Sequence, residues 1–423
     1  MNALSRRAFL AGATGTAAAS AAALAAGGLG SLLSACDSSA LNADLLGRKP
    51  PPGPAHPVTW PISAANKPIA NGLRAERDAT LTVYSWNGRI AAECLDKFSR
   101  KHGCHVKLTT FDSMQEAIAR MTTTPTRFDV FLGTPISKLG TLIRNNLIQP
   151  LNHSYIPNIS QVWPLFTDPF YDKHWQYTVP YMIHSTGIGW RRDLAVNAMP
   201  YSMANGWELL WEPRYKGHVA ILDDYREGVG LGLLAGGIAN LNTSDPLLID
   251  DAARVLTDLG NTAASKLSNN APSDLAAGTT WVQHAWSGQV VAAARKLPTG
   301  THAGVLGYWF PPNGAGPVVS DTITIPRSAR NPVLAHLFMN FMLAARNAVD
   351  NARGTGFLQP MKSLTPTRLV REGVLPATLL STVVLEIDYY RGLKELQLLP
   401  ATEALWQQAW HSVVTHMRLA HPE

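Results

Sequence analysis

The sequence predicts an α/β fold made of two doubly wound units, and three observations carry the prediction. From Ala79 onward β-rich runs alternate with amphipathic ones in the order β-α-β-α-β-α, which implies a sheet with helices on both faces. After a change of pattern near Gln176, a second run of the same kind begins around Trp207. A late strong strand, Val318–Pro326 (V-V-S-D-T-I-T-I-P), would then return the chain to the first unit.

The first 35 residues stand apart from the fold. Ser5-Arg6-Arg7-Ala8-Phe9-Leu10 reads as a twin-arginine export signal, followed by an Ala-rich stretch that stops at Leu33-Ser34-Ala35-Cys36, a lipobox. A membrane anchor is the competing reading, since the run is long enough to span a bilayer. Processing would leave Cys36 as a lipidated N-terminus and the mature chain anchored outside the cell membrane. Residues 36–78 read as a spacer, because Lys49-Pro50-Pro51-Pro52-Gly53-Pro54 is stiff and extended, although Trp60 and Pro61 could lie along the folded body.

The first unit opens with Thr80–Trp86 (T-L-T-V-Y-S-W). Ala91–Arg100 follows as a helix with Cys94, Leu95 and Phe98 on one face, and His105–Thr110 alternates as a second strand. Ser113–Arg120 is helical, Phe128–Leu132 is a buried strand ending at Gly133, and Lys138–Asn145 is the next helix. Ser185–Trp190 reads as a crossing segment. In the second unit, Trp211–Glu227 (W-E-P-R-Y-K-G-H-V-A-I-L-D-D-Y-R-E) is a loop, a short apolar strand and an acidic turn opening a Gly-rich helix. Asp223 and Asp224 fall at the carboxyl edge of the sheet, where open α/β sheets place their ligands. They are therefore either a helix cap or the anionic wall of a site.

The charge balance is modest, at +6 from 36 basic and 30 acidic residues. No basic run interleaves with aromatics, so nucleic-acid binding has no footprint. Of the three cysteines, Cys94 and Cys104 could form a disulfide in an exported protein or remain buried thiols, and they lack the Cys/His partners of a metal site. Neither a metal nor a cofactor is expected.

Several short stretches occur together and in order: V-Y-S-W at Val83–Trp86, F-D-V-F at Phe128–Phe131, V-P-Y at Val179–Tyr181 and T-G-I-G at Thr186–Gly189. W-E-L-L-W-E-P-R-Y-K-G at Trp207–Gly217, L-D-D-Y-R-E at Leu222–Glu227 and W-S-G at Trp286–Gly288 follow, then S-D-T-I-T-I-P at Ser320–Pro326 and G-F-L-Q-P at Gly356–Pro360. With these the chain resembles the bacterial extracellular solute-binding proteins of the spermidine/putrescine type, which deliver ligand to an ABC permease. The resemblance implies a two-lobed, type II-like periplasmic-binding-protein fold with the ligand cleft between the lobes. Lobe 1 would hold residues 79–181 plus about 318–350, and lobe 2 residues 182–317 plus about 351–423. It further implies a monomer that captures a small cationic ligand, with no bond-making.

The site residues that carry over by resemblance are Trp86, Asn87, Asp224, Glu227, Trp286, Asp321 and, more distantly, Gln397. Such a set suits a polyamine, because each ammonium needs carboxylates and the methylenes want aromatic faces. Each has a plain alternative: Asp224 with Glu227 is also a capping box, and either Trp could be core. Three positions depart from the family pattern and could modify the cleft. Arg89 follows Trp86-Asn87-Gly88 where an acid and an aromatic are customary, Thr134 lies in Gly133-Thr134-Pro135-Ile136 in place of Ser-Thr-Tyr-Tyr, and His184 stands where a small residue is common. Val319 also replaces a Trp. The ligand implied is a smaller or mono-cationic amine, or one carrying an anionic group for Arg89. Two other classes were weighed. Gly230-Leu231-Gly232-Leu233-Leu234-Ala235 matches a dinucleotide fingerprint but follows three acids and lies inside a helix, where small residues would instead allow close helix–sheet packing. A surface sensor on the same scaffold, with a non-polyamine ligand, is the other.

Overall fold

The computed structural model of the protein describes residues 51–123 and 127–420. Arg6, Arg7 and Cys36, which carry the export and lipidation reading, lie outside them. Among the described residues no helix is long and apolar enough to cross a membrane.

The first lobe forms as its pattern dictates. Strand β1 (Thr80–Trp86) is followed by α1 (Ala92–His102), whose Cys94, Leu95 and Phe98 face the core and whose basic last turn ends on Gly103 in the left-handed region. Strand β2 (His105–Phe111) lies parallel to β1 from Thr80↔His105 to Trp86↔Phe111. Helix α2 (Met114–Thr123), strand β3 (Val130–Pro135), helix α3 (Ile136–Arg144) and the short β4 (Ile148–Gln149) complete the run. Tyr84 stacks on Phe128 with ring centroids 4.0 Å apart, and Phe98 meets Phe338 edge-on at 5.1 Å. Each such buried ring stabilises the lobe by about 1.5–3 kcal/mol.

Strand β5 (Val179–Arg191) is thirteen residues long and buried throughout. The second lobe follows with β6 (Val219–Ile221), α4 (Tyr225–Ala235), α5 (Pro246–Thr262), β7 (Ala264–Leu267) and α6 (Ala271–Ala277). It continues with β8 (Val282–Trp286), α7 (Ser287–Lys296) and β9 (Leu306–Trp309). Strand β10 (Val318–Pro326) then returns to the first lobe, and α8 (Pro332–Met342), α9 (Ala345–Thr355), α10 (Pro366–Arg371), α11 (Glu386–Arg391) and α12 (Pro400–Ala420) end the chain.

One sheet path runs through both lobes, in the order β2-β1-β3-β10-β5-β8-β6-β7. Strand β5 is the joint: up to Ser185 it pairs with β10, and from Thr186 it pairs with β8 and, further on, with β9. The lobes keep separate cores, one around Phe98, Phe131 and Phe338, the other around Trp190, Val229 and Trp406. Two further segments cross between them, one leading into β10 and one after α11, and they meet at a bridge between Pro317 and Leu393.

One detail departs from the expected layout, and another follows the alternative in which Trp60 lies along the folded body. Helix α9 packs on α1, where Asn351 accepts from the Ala91 amide at 2.9 Å and Lys97 pairs with Asp350, and apolar residues up to Tyr389 join the first core. The second lobe then takes α12, whose Trp406, Trp410 and Val413 fit its core, and the turn around Leu379, which packs with Leu306 and Tyr308. The segment from Pro51 also lies on the folded body, with Trp60 buried and its Nε1 donating to the Tyr171 carbonyl at 2.8 Å. Cys94 and Cys104 are both buried free thiols, and burial beside Asp350 pushes the Cys94 thiol up to about 12.

Candidate functional site

The carboxyl ends of β1, β3, β6 and β8 and the middles of β5 and β10 converge between the lobes. Trp86 ends β1, and its indole Nε1 donates to the Gly133 carbonyl at 2.8 Å. Gly133 has φ +88, and a Cβ there would come within 2.6 Å of the Trp86 ring, so the indole fixes glycine at the end of β3. Asn87 and Gly88 form an exposed turn that throws Arg89 back inward, where it is only 5% exposed.

The acidic turn of the second lobe is split between two tasks. Asp224 caps α4, its Oδ1 accepting from the amides of Arg226 and Glu227 at 2.8 and 3.2 Å. Glu227 does not reach back to complete a capping box. Its Oε1 instead accepts from Trp286 Nε1 at 2.5 Å and Thr186 Oγ1 at 3.0 Å, which turns the carboxylate towards β5 and the lobe boundary. Asp223 stays exposed, its amide donating to Asn269 Oδ1.

Trp286 closes β8 and starts α7. Gly288, two residues on, lets the Phe357 ring lie against this helix start, since a Cβ at Gly288 would sit 2.4 Å from the ring. The guanidinium carbon of Arg89 stands 3.7 Å from the Phe357 ring centroid and 4.8 Å from that of Trp286. His184, buried on β5, meets both rings edge-on at 5.8 and 5.6 Å. Burial and the neighbouring Arg89 charge hold this imidazole neutral, well below its ordinary range.

Asp321 shares a sheet face with His184: the register pairs His184 with Val319 and Met182 with Asp321. Burial pushes its carboxyl up to about 6, against the opposing pull of Arg89. No side chain or amide hydrogen-bonds its carboxylate among the described residues. Glu227 is raised well above the ordinary carboxyl range by burial, then by the charge of Glu395. Glu395, on the crossing segment after α11, is raised in turn by burial and by Asp224 and Asp321, and only partly relieved by Arg226 and Lys138. Arg226 is committed elsewhere, donating to the carbonyls of Leu396 and Leu241 and to Asn242. On the rim, Lys138 of α3 reaches across the lobes to Glu403 of α12 and to the Tyr225 hydroxyl.

The structure therefore gathers Trp286, Glu227, Asp321, Arg89 and His184 into one cluster, with the capping Asp224 beside it and Trp86 and the exposed Asn87 on the first-lobe side. Two expected residues lie apart. Thr134 is paired opposite Thr322, one position from Asp321, so the two side chains leave the sheet on opposite faces. Gln397 sits against Gly140 and Trp60 in a crevice of about 10 Å³ that also involves Pro52 and Tyr171. Its neighbour Glu395 is the residue of that segment that faces the acids. Phe357 and Thr186 also entered the cluster without being singled out, although both lie in recognisable stretches, G-F-L-Q-P and T-G-I-G. The Gly-rich run 228–235 packs helix on helix rather than on the sheet: a Cβ at Gly232 would meet the Ala252 carbonyl oxygen at 2.5 Å, and one at Gly228 the Trp410 ring. A cavity of about 240 Å³ lined by Ser185, Tyr201, Phe310 and Ser381 lies behind the cluster, on the other face of β5. Among the described residues no group of three or more His, Cys, Asp or Glu side chains could hold a metal.

Comparison with known proteins agrees with this architecture. The family model described as bacterial extracellular solute-binding protein matches residues 93–373. The chain is 29% identical over 299 residues to a spermidine/putrescine-binding periplasmic protein of Haemophilus influenzae, covering 69% of this chain and 78% of that one. It is 26% identical over 294 residues to a putrescine/cadaverine-binding protein of Pseudomonas aeruginosa, covering 68% and 82%. Among solved structures, a putative spermidine/putrescine ABC transporter protein of Listeria monocytogenes superposes with TM-score 0.64 at 25% identity, over 79% of this chain and 98% of that one. A lipoprotein of Treponema pallidum gives TM-score 0.66 at 22% identity, over 79% and 99%, a likeness of fold. Two lobes joined through β5, a cluster of acids and aromatic rings beside that joint, and a family match over most of the folded chain lead to one conclusion: this chain belongs to the bacterial extracellular solute-binding proteins.

Proposed function

We propose that this protein is the substrate-binding component of an ABC importer and that it captures a small cationic amine between its lobes for delivery to a permease. The observation that carries the reading is the set of carboxylates Glu227, Glu395 and Asp321, gathered beside Trp286 and Phe357 and only partly offset by Arg89, Arg226 and Lys138, none of which forms an ion pair with them within 4 Å among the described residues. Buried acids that lack a cationic partner are costly, and an ammonium placed among them removes that cost. Aromatic faces beside the acids add about 0.5–2 kcal/mol for a desolvated cation. The relatives named for spermidine, putrescine and cadaverine support an amine of this class. The same reading has the chain acting outside the cell membrane, held there by lipid at Cys36, and working by closure and release without bond-making.

Isothermal titration of the folded protein with spermidine, putrescine and a panel of amines and amino compounds tests the reading. Binding in the micromolar range or tighter, weakened at least tenfold by Glu227→Gln and by Asp321→Ala, is expected. Tight binding that survives both substitutions would remove the site, and no binding to any amine would remove the ligand class.

A further inference from the structure

We propose that the Arg89 guanidinium is a tethered cation filling one end of the cleft, so that the ligand is an amine with a single ammonium group and a hydrogen-bond acceptor at its far end. This rests on the reading of the cleft as an amine site and narrows the class of amine.

The position of Arg89 is what a bound cation would adopt. Its guanidinium stacks on Phe357 at 3.7 Å, stands 4.8 Å from the Trp286 ring, and lies within electrostatic reach of Asp321 and Glu227. Arginine is suited to this, since its planar fork stacks on aromatic faces and is weakly hydrated. A short turn, Asn87-Gly88, delivers it from the end of β1, so the cation is covalently part of the first lobe while its aromatic cage comes from β8 and from the segment after α9. A second ammonium brought to this end would meet a like charge in a buried setting, where repulsion is weakly screened.

The far end of the ligand is identified by atoms without partners. Arg89 is 5% exposed, yet its Nη1 makes no hydrogen bond, and Nδ1 of the neighbouring His184, 3% exposed, makes none either. Buried nitrogens of this kind are costly to leave unmade. A guanidinium N–H can only donate, so its missing partner is an acceptor. Asp321 stands near but forms no ion pair with Arg89 within 4 Å among the described residues. The rest of the cleft has the opposite need: Glu227 and Glu395 share a region with Asp224, and among the described residues their cations are the shared Arg89, which is in reach of Glu227, and the committed Arg226 and Lys138, which act on Glu395. One ammonium there and one acceptor at Arg89 balances both ends.

A four-carbon series isolates the far group: 1,4-diaminobutane, n-butylamine, 4-aminobutan-1-ol and 4-aminobutyrate carry an ammonium, a methyl, a hydroxyl and a carboxylate opposite the same amine. Titrated into the wild-type protein at pH 8, at least one of the two acceptor-bearing amines is expected to bind tenfold or more tighter than both the diamine and butylamine. Comparing those two separates a carboxylate from a neutral acceptor. In Arg89→Met, which keeps most of the side-chain volume between the rings, the order is expected to reverse in favour of the diamine by tenfold or more. Arg89→Lys should keep the wild-type order. A wild-type protein that prefers the diamine, or an Arg89→Met variant that is folded by circular dichroism and keeps the wild-type order, overturns the role of Arg89 while leaving the amine site standing. Absence of binding by every member in both proteins overturns the amine site itself.

Discussion

Asp129 and Asp321 are both buried, and what surrounds them differs completely. Asp129 accepts from the amides of Thr82, Arg330 and Asn331, each at 2.8 Å, and from the Asn331 side chain at 3.1 Å, so it is a fixed part of the first lobe. Asp321 has no such partners and sits with its carboxyl raised to about 6. The direction of the shift sets a pH dependence. The raised carboxyls of Asp321, Glu227 and Glu395 hold protons at mildly acidic pH, whereas a cationic ligand binds their ionised forms. Amine affinity should therefore fall as pH is lowered from 8 to 5, by roughly tenfold or more, with proton release on binding near neutrality. Titrations in buffers of different ionisation enthalpy measure both effects, and an affinity constant across that range would count against these acids. Sequence made Glu227, Trp286 and Asp321 legible through the stretches L-D-D-Y-R-E, W-S-G and S-D-T-I-T-I-P that carry the resemblance, and Asp321 also as an isolated acid on a β-rich strand, which is costly unless paired. Glu395 and Phe357 were not legible as cleft residues. They arrive from non-periodic segments whose position depends on where the chain crosses between the lobes, and periodicity carries no information about that.

Helix α4 tests how one residue can cap and still contribute charge. Only Oδ1 of Asp224 caps α4, and Oδ2 takes no part in the cap. Asparagine caps nearly as well, so Asp224→Asn should change thermal stability little while weakening amine binding several-fold. Asp224→Ala should lose the same affinity and about 1 kcal/mol of stability besides. Calorimetry paired with titration separates the two, and equal affinity in Asn and wild type would make Asp224 a cap alone. Elements with a regular period were read with nearly correct bounds, including α1 and β10, whereas β3 starts two and ends three residues later than Phe128–Leu132. The placement of α9 was not, because its apolar face suits either core and only the Asn351–Ala91 and Asp350–Lys97 contacts decide between them. The Gly-rich face of α4 was likewise visible, but not that Ala252 of another helix would press against it.

Across the whole molecule, the lobes touch at several places besides the crossing segments. Near the sheet Arg89 stands over Trp286, Phe357 lies on the start of α7, and Arg295 of α7 donates to the Ala352 and Val374 carbonyls at 3.1 Å; the outer contact is Lys138 with Glu403 and Tyr225, on helices away from the sheet. Lys138→Ala removes the outer contact and, with it, a positive charge that eases Glu395, while leaving the side chains of the cleft in place. Its side chain and that of Glu403 are 17% and 26% exposed, so the pair contributes about 0.5–1 kcal/mol. The variant should show a larger radius of gyration in small-angle scattering without amine, equal compaction at saturating amine, and a few-fold loss of affinity. No change in scattering would mean that this pair does not hold the lobes. The two-unit layout and the crossing near Ser185 could be read from strand order, but the single sheet path could not, since it depends on which edges of β5 are taken up by β10, β8 and β9.

That shared strand has a mechanical consequence. Thirteen consecutive buried residues, hydrogen-bonded on both sides of the lobe boundary, give a joint without slack, closer to a leaf spring than to a pin. Twist spread along β5 displaces atoms in proportion to their distance from it. In such a twist the rim at Lys138 and Glu403 would travel furthest, while Trp286, paired to β5 at Thr186↔Trp286, would stay close to the strand. A small molecule would enter past the rim into a floor already shaped by Arg89, His184 and Trp286, and the range of sizes it can have is set by how far a stiff strand will bend.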